Sequence, residues 1–191
     1  FIKNLDMKNS FLLILLGILI SSNFNISKAQ GWERSYTDPS GVTMGRDAIQ
    51  TFDGGFIFTS VNGAFTTQGL TAKLDANGNI IWSSQLGGFS IVETADSGYI
   101  VMSTLYSNFE FNKIDSSGNF TWSKVHSFLS GQNHLGFFNK VHDNSYIACG
   151  RVGCDGVIIR LDVNCDTLWT FKTTNSNCTT FNRTNILKRR L

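Results

Sequence analysis

Hydrophobic and polar positions along the chain repeat in short blocks. Three runs each follow a turn-like tripeptide: Asp53-Gly-Gly-Phe-Ile-Phe-Thr59, Asp96-Ser-Gly-Tyr-Ile-Val-Met102 and Asp143-Asn-Ser-Tyr-Ile-Ala-Cys149. Each is followed by a second pattern: Lys73-Leu-Asp-Ala-Asn-Gly-Asn-Ile-Ile-Trp82, Lys113-Ile-Asp-Ser-Ser-Gly-Asn-Phe-Thr-Trp122 and Arg160-Leu-Asp-Val-Asn-Cys-Asp-Thr-Leu-Trp169. Aromatic and β-branched runs bounded by Asp, Asn, Ser and Gly predict strands. The glycines supply positive φ in tight turns, and the Asp side chains cap those turns. From Asp to Trp the spacing is seven in all three blocks, and the Trp positions recur at 40 to 47 residues. Each block therefore reads as four strands. Strand A ends before the first turn, B follows it, C ends in Lys-Leu-Asp or its equivalent, and D carries the Trp.

Composition agrees with this pattern. The 191 residues, about one domain in length, include 18 Gly, a single Pro and 24 aromatic residues, which favours many short strands over a helical bundle. Charged residues make up only 16% and hydrophobic residues 41%, which excludes a disordered polyelectrolyte. A period near 40 is that of a propeller blade. One Trp at a fixed place in each repeat suits a ring wedged between neighbouring sheets, so Trp32, Trp82, Trp122 and Trp169 are assigned structural roles.

Trp32 sits 21 residues before Asp53, as Trp122 sits 21 before Asp143. It reads as a stray N-terminal strand D preceding the first A-B-C. The predicted fold class is all-β: a partial β-propeller of about three four-stranded antiparallel blades plus that stray strand. A β-trefoil, with three repeats of similar length, is the alternative. The repeats are expected over about 30–82, 83–122 and 123–172 within a region 30–178, followed by a basic tail at 179–191.

Ahead of the repeats, Lys8 precedes ten apolar residues, Phe11 to Ile20, with Ser27 and Ala29 placed as the small residues of a cleavage site. Residues 1–29 are expected to be a signal peptide with upstream residues. Ten apolar residues are too few for a bilayer span, which takes about 20. Loss of Lys3, Lys8, Lys28 and Asp6 leaves 13 basic and 13 acidic residues. A neutral chain whose basic residues cluster only at Arg183, Lys188, Arg189 and Arg190 offers nothing for nucleic acid.

At the quoted blocks the sequence resembles exported repeat proteins of the Bacteroidetes, whose blades read "DGGyi" followed by "KLD.nGn..W". Like them, it places a Trp strand just after an Ala-Gln pair, here Ala29-Gln30-Gly31-Trp32. A more distant likeness is to quinoprotein-like propellers. The resemblance covers about residues 30–172 and implies a binding scaffold ahead of a type IX secretion sorting domain, secreted or at the cell surface, and a monomer when full length. Block three departs from the pattern, with Asn144-Ser145 for Gly-Gly and Cys165 for the turn Gly, so distorted turns are expected there. Quinone binding would, by the same resemblance, call for adjacent cysteines, which the sequence lacks; no cofactor is expected.

Candidate chemistry is sparse. In the A-B-C-D meander the A–B and C–D turns share one end and the more variable B–C and D–A connections share the other. Variable loops on a rigid scaffold are where binding is usually placed, and Tyr106, Phe109, His126 and His134 are the candidates for stacking a glycan or protein ligand. Neither His-Glu-x-x-His nor Gly-x-Ser-x-Gly occurs. Asp75, Asn77 and Asn79 imitate the start of a calcium loop but have Gly at the wrong place and no closing acidic residue; this is read as a turn, and no metal site is expected. Export would put Cys149, Cys154, Cys165 and Cys178 in an oxidising compartment, with Cys154 to Cys178 the first choice of disulfide because both fall at the variable-loop end. The expected function is a non-catalytic extracellular binding or adhesion module. The alternative is a fragment of an exported propeller enzyme, polysaccharide-degrading or quinone-dependent.

Overall fold

A computed structural model describes residues 33–36, 43–62, 68–105, 108–127 and 133–173. Among these, all regular structure is β, in three four-stranded antiparallel sheets. The first contains β1 (Thr43–Gln50), β2 (Phe56–Asn62), β3 (Thr71–Leu74) and β4 (Ile80–Ser84). The second contains β5 (Ser90–Glu93), β6 (Tyr99–Leu105), β7 (Asn108–Ile114) and β8 (Phe120–His126). The third contains β9 (Asn133–Lys140), β10 (Tyr146–Val152), β11 (Asp155–Leu161) and β12 (Thr167–Lys172). Every sheet is a simple meander, each strand pairing with its neighbour in sequence. Because the strands of each repeat pair only within that repeat, the arrangement is a partial β-propeller and not the closed threefold barrel of a trefoil. The Trp32 strand predicted upstream lies outside the described residues.

The innermost strands hold the sheets together, β5 lying between β1 and β9. Asp47 on β1 accepts hydrogen bonds from the Ser90 hydroxyl (2.7 Å) and the Ile91 amide (3.1 Å) on β5. That Ser90 oxygen is also 3.1 Å from the Phe138 carbonyl on β9. One serine thus touches both flanking sheets.

Turn chemistry repeats almost atom for atom. In the A–B turns, Gly54, Ser97 and Asn144 take φ of 81°, 59° and 62°. Asp53, Asp96 and Asp143 each accept the backbone amide two residues on and a nearby hydroxyl, from Thr51, Thr94 and Ser145. In the C–D turns, Gly78, Gly118 and Cys165 take φ of 78°, 88° and 60°. Asp75, Asp115 and Asp162 cap the amides two and four residues ahead. The distortion expected in block three is absent. Asn144 and Cys165 enter the left-handed region and form the same backbone hydrogen bonds as their glycine counterparts, because the Asp cap and the turn bonds offset the modest cost of a Cβ there.

A register shift recurs opposite each C strand, between Lys73 and Leu74, Lys113 and Ile114, and Arg160 and Leu161. Ile81, Thr121 and Leu168 are the extra residues, and the Trp directly after each pairs with Lys73, Lys113 or Arg160. Such bulges re-aim the side chain that follows. Trp82 accordingly reaches the second sheet, where its Nε1 donates to the Ser116 carbonyl (3.0 Å) and its ring meets Tyr99 at 5.8 Å between centroids. Trp122 packs against the buried cluster shared by the second and third sheets, which includes Met102, Phe111, Phe138, Tyr146 and Cys165. Trp169 stays 45% exposed on β12, beside exposed Leu168 and Phe171.

Candidate functional site

The variable-loop residues singled out from sequence do not gather into a site among the described residues. Phe109 is fully buried in the cluster between the second and third sheets. Its β7 pairs with β6 through a tight connection, Leu105 opposite Asn108, so its ring belongs to the core and does not stack a ligand. His126 ends β8, where Nε2 donates to the Cys165 carbonyl (2.9 Å) and Nδ1 accepts from the Thr167 hydroxyl (3.1 Å). Phe111 meets its ring edge-on at 5.4 Å. Those contacts join the second sheet to the third. His134 lies in β9 with its side chain outside the described residues, and Tyr106 lies outside them altogether. Of the cysteines, Cys149 and Cys165 are buried free thiols, whose burial raises them to about 11 and about 12 respectively. Cys154 lies in the β10–β11 turn, and Cys178 is outside the described residues.

At the opposite end, where the A–B and C–D turns lie, a cleft of about 160 Å³ opens between the first and second sheets. Phe52, Lys73 and Trp82 from the first sheet face Glu93 and Tyr99 from the second across it. Phe52 occupies the A–B turn and is 72% exposed. Its backbone amide donates to Glu93 Oε2 at 2.8 Å, tying the turn to the end of β5. Lys140, at the end of β9, places its Nζ 5.6 Å from the Phe52 ring centroid. The A–B end of all three sheets thus converges on this rim.

Two kinds of charge meet in the cleft. Lys73 is buried on β3 and ion-paired to Asp53 at 2.8 Å, with the Leu74 carbonyl accepting a further bond at 3.1 Å. The Lys73 ammonium, Thr51 hydroxyl and Gly55 amide hold Asp53 down at about 2. Glu93 is only 8% exposed, and burial pushes its carboxyl above the ordinary value, with the nearby Asp53 charge adding to the rise. Burial and the Glu93 and Asp53 charges raise the Tyr99 phenol to about 12.

The cleft was not anticipated from sequence, which placed binding at the other end. A signal was nevertheless present. Within an otherwise regular A–B turn, Phe52 corresponds to Ala95 and His142, and Glu93 corresponds to Gln50 and Lys140. The same turn closes in the other repeats without these two side chains, so what sets them apart is free to serve something else. Among the described residues, no three His, Cys, Asp or Glu side chains converge to hold a metal ion. No helix there is long and apolar enough to cross a membrane.

No protein-family model matches the chain, and no curated protein matches it. Solved structures do. It is similar to a protein of unknown function from Bacteroides caccae, with a TM-score of 0.51 and 12% identity, over 71% of this chain and 48% of that one. A eukaryotic initiation factor superposes with a TM-score of 0.54 and 9% identity, over 79% of this chain and 36% of that one. At such identities the likeness is one of fold. The chain spans half or less of the length of either.

Proposed function

We propose that the chain is part of an exported, non-catalytic β-propeller scaffold of the Bacteroidetes repeat type, secreted or held at the cell surface, and that it binds an extracellular glycan or protein. The observation that carries this reading is the division of labour among its polar residues. The Asp, Lys, Thr, Ser and Asn residues that recur in the repeats are spent on turn caps and on the Asp53–Lys73, Asp96–Lys113 and Asp143–Arg160 pairs. The side chains that differ between repeats, Phe52 and Glu93, line the turn-end cleft instead. A rigid frame with an idiosyncratic aromatic and acidic cleft is suited to recognition. The fold-level likeness to a Bacteroides protein is in keeping with the origin proposed here.

Glycan and peptide arrays probed with the secreted chain test the reading. Hits that weaken in Phe52→Ala support it, and hits indifferent to that substitution remove the cleft as the site. Mass spectrometry of exported material should find Gln30 at the N-terminus, and intact residues 7–30 would overturn export with cleavage after Ala29. In the same compartment Cys154 and Cys178 pair, with Cys149 and Cys165 remaining buried thiols. Peptide mapping without reductant that recovers Cys154 as a free thiol would overturn the pairing.

A further inference from the structure

We propose that the cleft between the first and second sheets receives a small organic cation, an ammonium or guanidinium group, seated against Phe52, Trp82 and Tyr99 with Glu93 as its counter-ion. This rests on the binding reading above and adds the chemistry of the ligand.

The charges of Lys73 and Asp53 cancel within the wall, at 2.8 Å. Glu93 is the remaining carboxylate lining the cleft; the Lys73 ammonium on β3 and the Lys140 ammonium on β9 act on it through space, but among the described residues neither closes an ion pair with it. Its Oε2 accepts one backbone amide, whereas a carboxylate has about four acceptor positions. A nearly buried carboxylate with spare acceptor capacity attracts a cation most strongly, because only a cation both hydrogen-bonds to it and compensates its charge. A neutral sugar does only the first, and an anion is repelled.

The walls fit the same chemistry. Trp82, Tyr99 and Phe52 are all aromatic, and their ring faces attract cations. The rim already shows the interaction, since Lys140 of the same chain lies over Phe52 at 5.6 Å. A volume of about 160 Å³ accommodates a head group of a few heavy atoms. The stem of a lysine or arginine side chain could then leave past exposed Phe52. The corresponding place between the second and third sheets has Ala95 for Phe52 and Lys140 for Glu93, so the aromatic is lost and the charge is reversed. Only the first junction among these repeats has the cation-binding set.

The test is titration of the full chain at neutral pH with Nα-acetyl-lysine methylamide and with methylguanidinium, using glucose and acetate as comparisons. Trp fluorescence and amide chemical shifts are the readouts. Saturable shifts of Gly54, Gly55 and Gly98 by either cation, with none from glucose or acetate, are the expected result. Phe52→Ala and Glu93→Gln should each weaken binding by about tenfold, on the order of one good cation–π or charge contact. Phe52 is exposed, so its variant folds and decides the matter even if Glu93→Gln does not. Saturation by glucose alone, lost in Phe52→Ala, would overturn the cation while leaving the cleft as a binding site. Cation binding that survives both substitutions would place the site elsewhere and overturn the cleft assignment as well, and silence from every probe would overturn the proposal.

Discussion

Single residues in this protein differ sharply in what their neighbours demand of them, even where their backbone conformations are alike. Gly54 and Gly118 both hold positive φ, but a Cβ on Gly54 would meet nothing within 4 Å, whereas one on Gly118 would lie 2.7 Å from Trp82 Cδ2. Gly54→Ala should therefore cost only the left-handed penalty, about 1 kcal/mol. Gly118→Ala adds overpacking against the indole and should cost about 2–3 kcal/mol, measured by urea denaturation. The Asp96–Lys113 pair has a similar asymmetry, because Lys113 is buried and the Asp96 side chain is 67% exposed. Asp96→Asn strips a buried ammonium of its counter-charge and should destabilise by about 2 kcal/mol. Lys113→Met leaves a carboxylate that water can solvate and should cost about half as much. Equal losses from the two would show that Lys113 reaches solvent in the folded chain.

At the level of elements, strand order and turn positions were legible in the sequence because they rest on short-range chemistry. An Asp that caps amides two and four residues ahead, a left-handed residue three positions on and a Trp at seven are all local requirements, and all three blocks meet them. The bulge that turns Trp82 towards the next sheet could not be read, since it is a property of the pairing between strands. Phe109 was misplaced for a related reason. It follows Tyr106, Ser107 and Asn108 and reads as loop, but the hairpin closes at Leu105 and Asn108, and the ring falls on the buried face of β7. The cleft was hidden because it brings residues from two repeats together, and repeat alignment emphasises what is common to them. Sheet packing also predicts how the Trp positions differ. Trp122 lies against a neighbouring sheet and Trp169 has none among the described residues to cover it. Trp122→Ala should lower stability by about 3 kcal/mol and Trp169→Ala by less than about 1 kcal/mol. Comparable losses would mean that Trp169 is covered in the intact protein.

For the molecule as a whole, the turn carboxylates set its response to acid. Hydrogen bonds from Lys73 and Lys113, with those from Thr51 and Thr94, hold Asp53 and Asp96 down at about 2. Asp75 is lowered by Asn79, Asp115 by the Asn119 amide and side chain, and Asp143 by Ser145. A carboxyl lowered in the folded chain contributes stability above its unfolded value, near 4, and loses that contribution as pH falls through its folded value. From these groups the urea midpoint should decline steadily as pH falls from about 4 towards 2. Glu93 acts with the opposite sign. Burial raises its carboxyl, so the folded state holds that proton longer than the unfolded one. Stability then falls as pH rises from the unfolded value, about 4.3, to the raised folded value. Glu93→Gln should remove this second slope and leave the acid slope intact, whereas Asp96→Asn, whose charge does not bear on Glu93, should reduce the acid slope and leave the other. A bound cation should act on the Glu93 slope alone, because pairing with the ionised carboxylate brings its proton affinity back towards the ordinary value. If saturating Nα-acetyl-lysine methylamide left that slope unchanged while binding tightly, Glu93 would not be the group the ligand contacts.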